Sequence, residues 1–167
     1  MSHAICITEK MNGTYNAVDL VNVIYAPGGT ATVIDNGNVV LLDARVSGER
    51  DVVYSITPSV NSVKANIVLV CSPDVQYDER LVNDAENFYN LAGDVVRGYR
   101  LGGAGQYFAV TADALTGTSI VVGDVIELAA ATKLKAVASL TSGSTKIGDV
   151  VDVFALRGKT YYSIMTV

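Results

Sequence analysis

Val63-Lys64-Ala65-Asn66-Ile67-Val68-Leu69-Val70-Cys71 alternates at first and then runs apolar without a break from Ile67 to Cys71. A strand with one wet face alternates along its whole length. An unbroken, β-branched run of this size reads instead as a strand covered on both faces. It predicts a central strand with protein packed on either side.

Working outward, the flanking sequence is also β in texture. Val, Ile, Thr and Tyr dominate short runs punctuated by Gly, Asn and Asp. Upstream, strands are expected at Ala4–Thr8, Ala17–Tyr25, Ala31–Ile34, Val39–Leu42 and Val52–Ile56. Between Ile34 and Val39 lies Asp35-Asn36-Gly37-Asn38, a hairpin signal because Asn and Gly tolerate positive φ. Pro27, Pro58 and Pro73 fall between these strands, where a missing N–H does no harm.

Downstream, Leu81, Ala85, Phe88 and Leu91/Ala92 recur at helical spacing. They predict a connecting α-helix over about 78–92, with Asp74 or Asp78 as cap and Gly93 as its stop. Beyond it, Gly93-Asp94-Val95-Val96 recurs as Gly123-Asp124-Val125-Ile126 and Gly148-Asp149-Val150-Val151. Each copy reads as a turn launching an apolar strand, with uneven spacing that suits a small barrel rather than a solenoid. Strands Gln106–Val110, Leu134–Ser139 and Thr160–Thr166 complete it, with Arg157-Gly158-Lys159 as the last hairpin turn. The fold class expected is therefore mainly β: an N-terminal β-rich domain (1–73), a connecting helix (74–92) and a C-terminal β-barrel (93–167).

Composition narrows the function. Of 167 residues, half are hydrophobic and only 17% are charged, against about 25% in average soluble domains. Disorder is excluded on that balance. The net charge is −5 and the Lys and Arg residues are scattered, which disfavours direct contact with nucleic acid. No apolar run approaches the ~20 residues of a membrane helix, and no secretory signal is visible. Asn12-Gly13-Thr14 matches a glycosylation sequon and, without such a signal, reads as a plain turn.

The residues that carry chemistry are sparse. His3 is the one histidine, in an N-terminus expected to be mobile, so no catalytic triad or dyad is evident. Cys6 and Cys71 each sit in an apolar run and read as buried thiols; whether they pair depends on a separation that sequence does not supply. Neither has a Cys or His at metal-ligand spacing. Leu101-Gly102-Gly103-Ala104-Gly105-Gln106 fails as a dinucleotide loop, because the sixth position from Gly103 is Phe108 and β-like residues follow. Gly143-Ser144-Thr145-Lys146-Ile147-Gly148 places its lysine before the second glycine and also reads as a turn. The pairs Asp149/Asp152, Asp78/Glu79 and Asp124/Glu127 read as surface carboxylates. Tyr25, Tyr54, Tyr77, Tyr89, Tyr99, Tyr107, Tyr161 and Tyr162 are spread over nearly every element, which argues against a dedicated aromatic platform. No enzymatic activity, cofactor or metal is expected.

One resemblance remains. Ala92-Gly93-Asp94-Val95-Val96-Arg97-Gly98-Tyr99-Arg100-Leu101 opens it, followed by Tyr107-Phe108-Ala109-Val110-Thr111 and Ala114-Leu115. Val122-Gly123-Asp124-Val125-Ile126-Glu127-Leu128, Thr132-Lys133-Leu134-Lys135-Ala136-Val137, Gly143–Gly148 and Tyr161-Tyr162-Ser163-Ile164 continue it. Upstream, Val68–Pro73, Tyr77-Asp78-Glu79 and Asp35–Val40 fit the same order. In texture and order these segments resemble the head decoration (capsid cement) proteins of tailed bacteriophages.

The resemblance implies a structural virion protein, made in the host cytoplasm and bound to the head exterior. It would hold the capsid lattice together through contact with the major capsid protein, as a homo-oligomer with a trimer favoured. It carries no catalytic or cofactor residue across. Terminal arms and loops are natural contact elements. Candidate interface residues are Met1, Ser2, His3 and Ala4 in the arm Met1–Asn12, and Leu101, Gly102, Gly103 and Gln106 in the loop Leu101–Gln106. Two other readings stay open: a head–tail joining or tail protein, and a β-rich glycan or cell-surface binding module.

Overall fold

The computed structural model describes residues 3–74 and 85–167. The chain begins with strand β1 (Cys6–Lys10), a single helical turn α1 (Asn12–Tyr15), and β2 (Leu20–Tyr25). Next come β3 (Val39–Arg45), β4 (Val52–Ile56), β5 (Ile67–Val70) and β6 (Val96–Arg100). The remainder is β7 (Tyr107–Thr111), β8 (Leu115–Thr116), β9 (Val125–Glu127), β10 (Leu134–Val137), β11 (Lys146–Leu156) and β12 (Lys159–Thr166). The molecule is mainly β, with a small barrel, as the sequence texture implies.

Two sheets carry these strands among the described residues. One is a closed barrel in the order β2-β4-β3-β5-β6, with β6 returning to pair with β2. The other has seven strands in the order β1-β7-β12-β11-β9-β10-β8. Both cross the sequence boundary expected at Gly93. β6, which follows that glycine, closes the barrel between β2 and β5. β1, from the far N-terminus, pairs with β7 in the open sheet. The barrel is thus built from residues 20–100 and not from 93–167. Pattern marks each strand but not its partner, and the partners here are distant in sequence.

β5 explains why the two sheets stay together. Ile67 and Leu69 face a core shared with the open sheet, alongside Phe108, Ile126, Leu134, Ile147 and Ile164. Val68 and Val70 face the barrel interior, with Val21, Val23, Val40 and Val96. All four are buried. Each such side chain is worth about 1.5–3 kcal/mol on burial, so this short strand ties two cores into one unit.

The helix expected over 78–92 lies partly on residues outside those described. Its remainder is not helical. Ala85–Asn87 form a turn, and Asn90 exchanges both backbone hydrogen bonds with Ile34, at 3.0 and 3.1 Å. Those bonds commit Asn90 to an extended bridge, and Leu91 is exposed rather than on a buried helix face. The same bridge corrects the hairpin expected around Asp35–Asn38. The turn is there, with Gly37 at φ 81°, but Ile34 pairs with Asn90 and β3 pairs with β4 and β5.

Two of the Gly-Asp repeats are the same device. In each, the Asp carboxylate accepts the amide three residues back: Leu91 to Asp94 and Val121 to Asp124, both at 2.9 Å. Gly93 and Gly123 supply φ of 89° and 98°. The third copy differs. Gly148 lies inside β11 at a register shift, where a Cβ would come within 2.2 Å of the Met165 carbonyl oxygen. There the glycine admits a neighbouring backbone and makes no turn.

Gly98 has a related role in the barrel. A Cβ there would sit 2.1 Å from Val68 Cγ1. A five-stranded barrel is narrow, and this gap lets β5 fill it. Gly98→Ala is expected to cost about 3 kcal/mol in a denaturant titration. Adding Val68→Ala removes the colliding methyl, so the double variant should be less destabilised than the sum of the singles by at least ~1 kcal/mol.

Candidate functional site

A polar seam forms where the N-terminal arm meets the end of the barrel. The turn Asp35–Asn38 is its hub. Asn36, buried, donates from Nδ2 to the Ser72 carbonyl oxygen and to Asp74 Oδ1, both at 3.0 Å. Its Oδ1 accepts from the Ser72 amide at 2.9 Å and from Asn90 Nδ2 at 3.3 Å. Asn90 Nδ2 also donates to the Ile34 carbonyl oxygen. Burial pushes the Asp74 carboxyl above its ordinary range, against the opposing pull of Asn36.

His3 belongs to this seam and is not a free arm residue. Its Nδ1 lies 2.8 Å from Asp35 Oδ1, its ring stacks on Tyr89 at 4.6 Å, and its amide donates to the Glu86 carbonyl oxygen. Cys6 and Cys71 are free thiols next to one another in the same region, with Cys71 Sγ 3.5 Å from the Cys6 carbonyl oxygen. The neighbouring Cys71 thiol, and then burial, hold the Cys6 thiol well above its ordinary value, so it is a poor nucleophile in this state. Among the described residues, no group of three or more His, Cys, Asp or Glu is placed to hold a metal ion.

The eight interface candidates separate sharply. Met1 and Ser2 lie outside the described residues. Ala4, Leu101 and Gln106 are buried in the fold, so they support it and offer nothing to a partner. Gln106 accepts the Asn12 amide and donates to the carbonyls of Arg100 and Gly103, which locks the loop down. Gly103 packs against the Asn12 side chain, where a Cβ would come within 2.3 Å. Gly102 is exposed, and His3 is half-buried in the seam. The loop is glycine-rich, and its one polar side chain, Gln106, is spent on holding it down.

Glu127, expected on the surface with Asp124, is 1% exposed. Its carboxylate accepts from the Thr141 amide and hydroxyl, each at 2.8 Å, and from Lys135 Nζ at 3.1 Å. Burial alone would raise this carboxyl, but the Thr141 bonds and the Lys135 charge outweigh it and hold it below its ordinary value. It pins the connection after β10.

Exposed apolar side chains are the feature the sequence search missed. The Ile34–Asn90 bridge buries those two residues and turns their neighbours outward: Val33 is 52% exposed and Leu91 55%. The Asp94 turn then leads straight into Val95, also 55% exposed. At the equivalent turn before β9, Val121 and Val122 are 56% and 58% exposed. Both repeats thus present bare valines beside a capped turn. The signal was in the sequence, since Val-Val beside Gly-Asp occurs at each, but only pairing shows which valine faces out.

Thr111, Ala112, Asp113, Lys159, Thr160 and Tyr162 line an open groove of 280 Å³ at the β7–β12 end of the open sheet. No helix of the described residues is long and apolar enough to cross a membrane. No family model, curated protein or solved structure matches the chain.

Glu127→Gln replaces one acceptor oxygen with a donor facing another donor. It is expected to lower stability by about 2 kcal/mol at neutral pH. Because the folded carboxyl titrates below its ordinary 4.5, its contribution is complete above that value and fades as pH falls through the lower folded value. The difference between wild type and variant should therefore shrink in melts taken at progressively lower pH below 4.5.

Proposed function

We propose that this chain is a structural virion protein that binds the outer surface of a tailed-phage head and stabilises the capsid lattice. The major capsid protein is its partner, and a closed oligomer, with a trimer favoured, is its working form. The ordered run of segments resembling head decoration proteins motivates the reading.

The observation that carries it is the exposed apolar set at the two Gly-Asp turns. Three clusters of apolar side chains are buried inside the fold, yet Val33, Leu91, Val95, Val121 and Val122 stand more than half exposed at or near the capped turns. Large side chains held out on fixed backbone suit burial against a flat partner, where the apolar centre of a contact lies inside a polar rim. The buried Glu127 carboxylate and the seam, by contrast, are absorbed in holding the fold. On this reading the protein works by contact area and has no reaction to perform.

Co-sedimentation with undecorated heads tests it. Binding is expected to saturate at a fixed ratio to capsomers with a Kd of about 1 μM or tighter. Leu91→Ser with Val95→Ser should weaken it by roughly tenfold or more without changing the melting temperature by more than a few degrees. Heads that stay bare at micromolar protein would overturn the reading. Binding to a glycan array through the 280 Å³ groove would favour the surface-binding module in its place.

A further inference from the structure

We propose that Cys6 and Cys71 are a latent disulfide: a pair that closes in oxidising surroundings and staples the N-terminal strand to the barrel.

The geometry comes from three segments meeting at one point. β1 brings Cys6 to the edge of the open sheet, opposite Val110. The residue after β5 is Cys71, held in place by the hydrogen bond its amide donates to the Arg97 carbonyl oxygen at 2.9 Å. Gly37 lies between them. Its amide donates to the Val70 carbonyl oxygen at 2.8 Å, which fixes the chain just before Cys71. A side chain at Gly37 would press on Ala114 and Val110 at 2.9 and 3.2 Å and would reach Cys6 Cβ at 3.7 Å. The glycine leaves the Cys6 sulfur free to meet its neighbour. Cys71 Sγ donates to the Cys6 carbonyl oxygen at 3.5 Å, which brings the two residues together. Two cysteines filling space as small hydrophobes need no such approach across 65 positions of chain.

The exposures differ in a way that orders the reaction. Cys71 is partly exposed and Cys6 is buried. With a low-molecular-weight disulfide such as oxidised glutathione as oxidant, the Cys71 thiolate attacks one of its sulfurs. A mixed disulfide forms and one glutathione thiolate leaves. Cys6 then gives its proton to solvent, and its thiolate attacks Cys71 Sγ. The intramolecular S–S bond forms and the second glutathione thiolate departs. The protein loses two electrons and two protons, and one glutathione disulfide becomes two thiols.

The link would join elements that belong to different sheets. β1 is an edge strand of the open sheet, held on one side by β7, and it ends in an exposed stretch, so it can peel from that sheet. The staple would remove that route of opening and, by closing a long loop, would restrict the unfolded chain.

The test uses the full chain, incubated reduced and then with oxidised glutathione at about pH 8.5, where thiolate is available. Intact mass should fall by about 2 Da with no adduct and no dimer on a non-reducing gel. The oxidised chain should melt higher by roughly 5 °C or more, and dithiothreitol should reverse both changes. Cys71→Ser, at the less buried position, should show neither. A persistent glutathione adduct, an intermolecular dimer, or an oxidised chain that melts no higher than the reduced one would overturn the proposal.

Discussion

The structure depends on one strand having no outside. Ile67 and Leu69 point into the core between the sheets, and Val68 and Val70 into the barrel. The cluster on the barrel side is mostly valine, with Tyr25 and Ile34 among it, and Gly98 is bare opposite Val68. The larger residues are pushed to the other face, where the open sheet covers them. Size sorting between the two faces of β5 therefore decides which sheet packs where. Without the open sheet, Ile67 and Leu69 would lie in water; without the barrel, β5 would lack both of its hydrogen-bonding neighbours.

That constraint also marks what sequence can and cannot convey. The unbroken run from Ile67 to Cys71 is a local property, and it identified a doubly covered strand correctly. The strands at Val52–Ile56 and Thr160–Thr166 were legible for the same reason, as was the hairpin turn at Arg157-Gly158, where both residues take positive φ. Partner choice was not legible. Nothing in Cys6–Lys10 says that it pairs with Tyr107–Thr111 and not with a neighbour in sequence. The apolar spacing at Ala85, Phe88 and Leu91 looked helical, yet Asn90 is bound to Ile34, and that bond outweighs local propensity.

The candidate site was less legible still. A carboxylate such as Glu127 looks like any surface residue until the Thr141 amide and hydroxyl are seen to claim it. The loop Leu101–Gln106 looks like a mobile, glycine-rich contact element until Gln106 is found buried and bonded to it from within. In both cases the polar side chain is turned inward and spent on neighbouring backbone groups. The apolar residues left facing out are then the ones whose placement has no use inside the fold.

The crossing of strands between the sheets bears on how the molecule is made. During synthesis from the N-terminus, β2 has no antiparallel neighbour until β6 emerges, and β1 has none until β7 does. The bond from the Ile5 amide to the Thr111 hydroxyl spans 106 positions. The barrel cannot close before Arg100 has emerged, and the open sheet cannot be completed before Thr166 has, so both are deferred, the open sheet to the end of synthesis. A ribosome-bound fragment ending near Gly93 would expose the apolar face of β5 and the open edge of β2. The interval before β6 and β7 appear is the one in which this chain most needs protection from association.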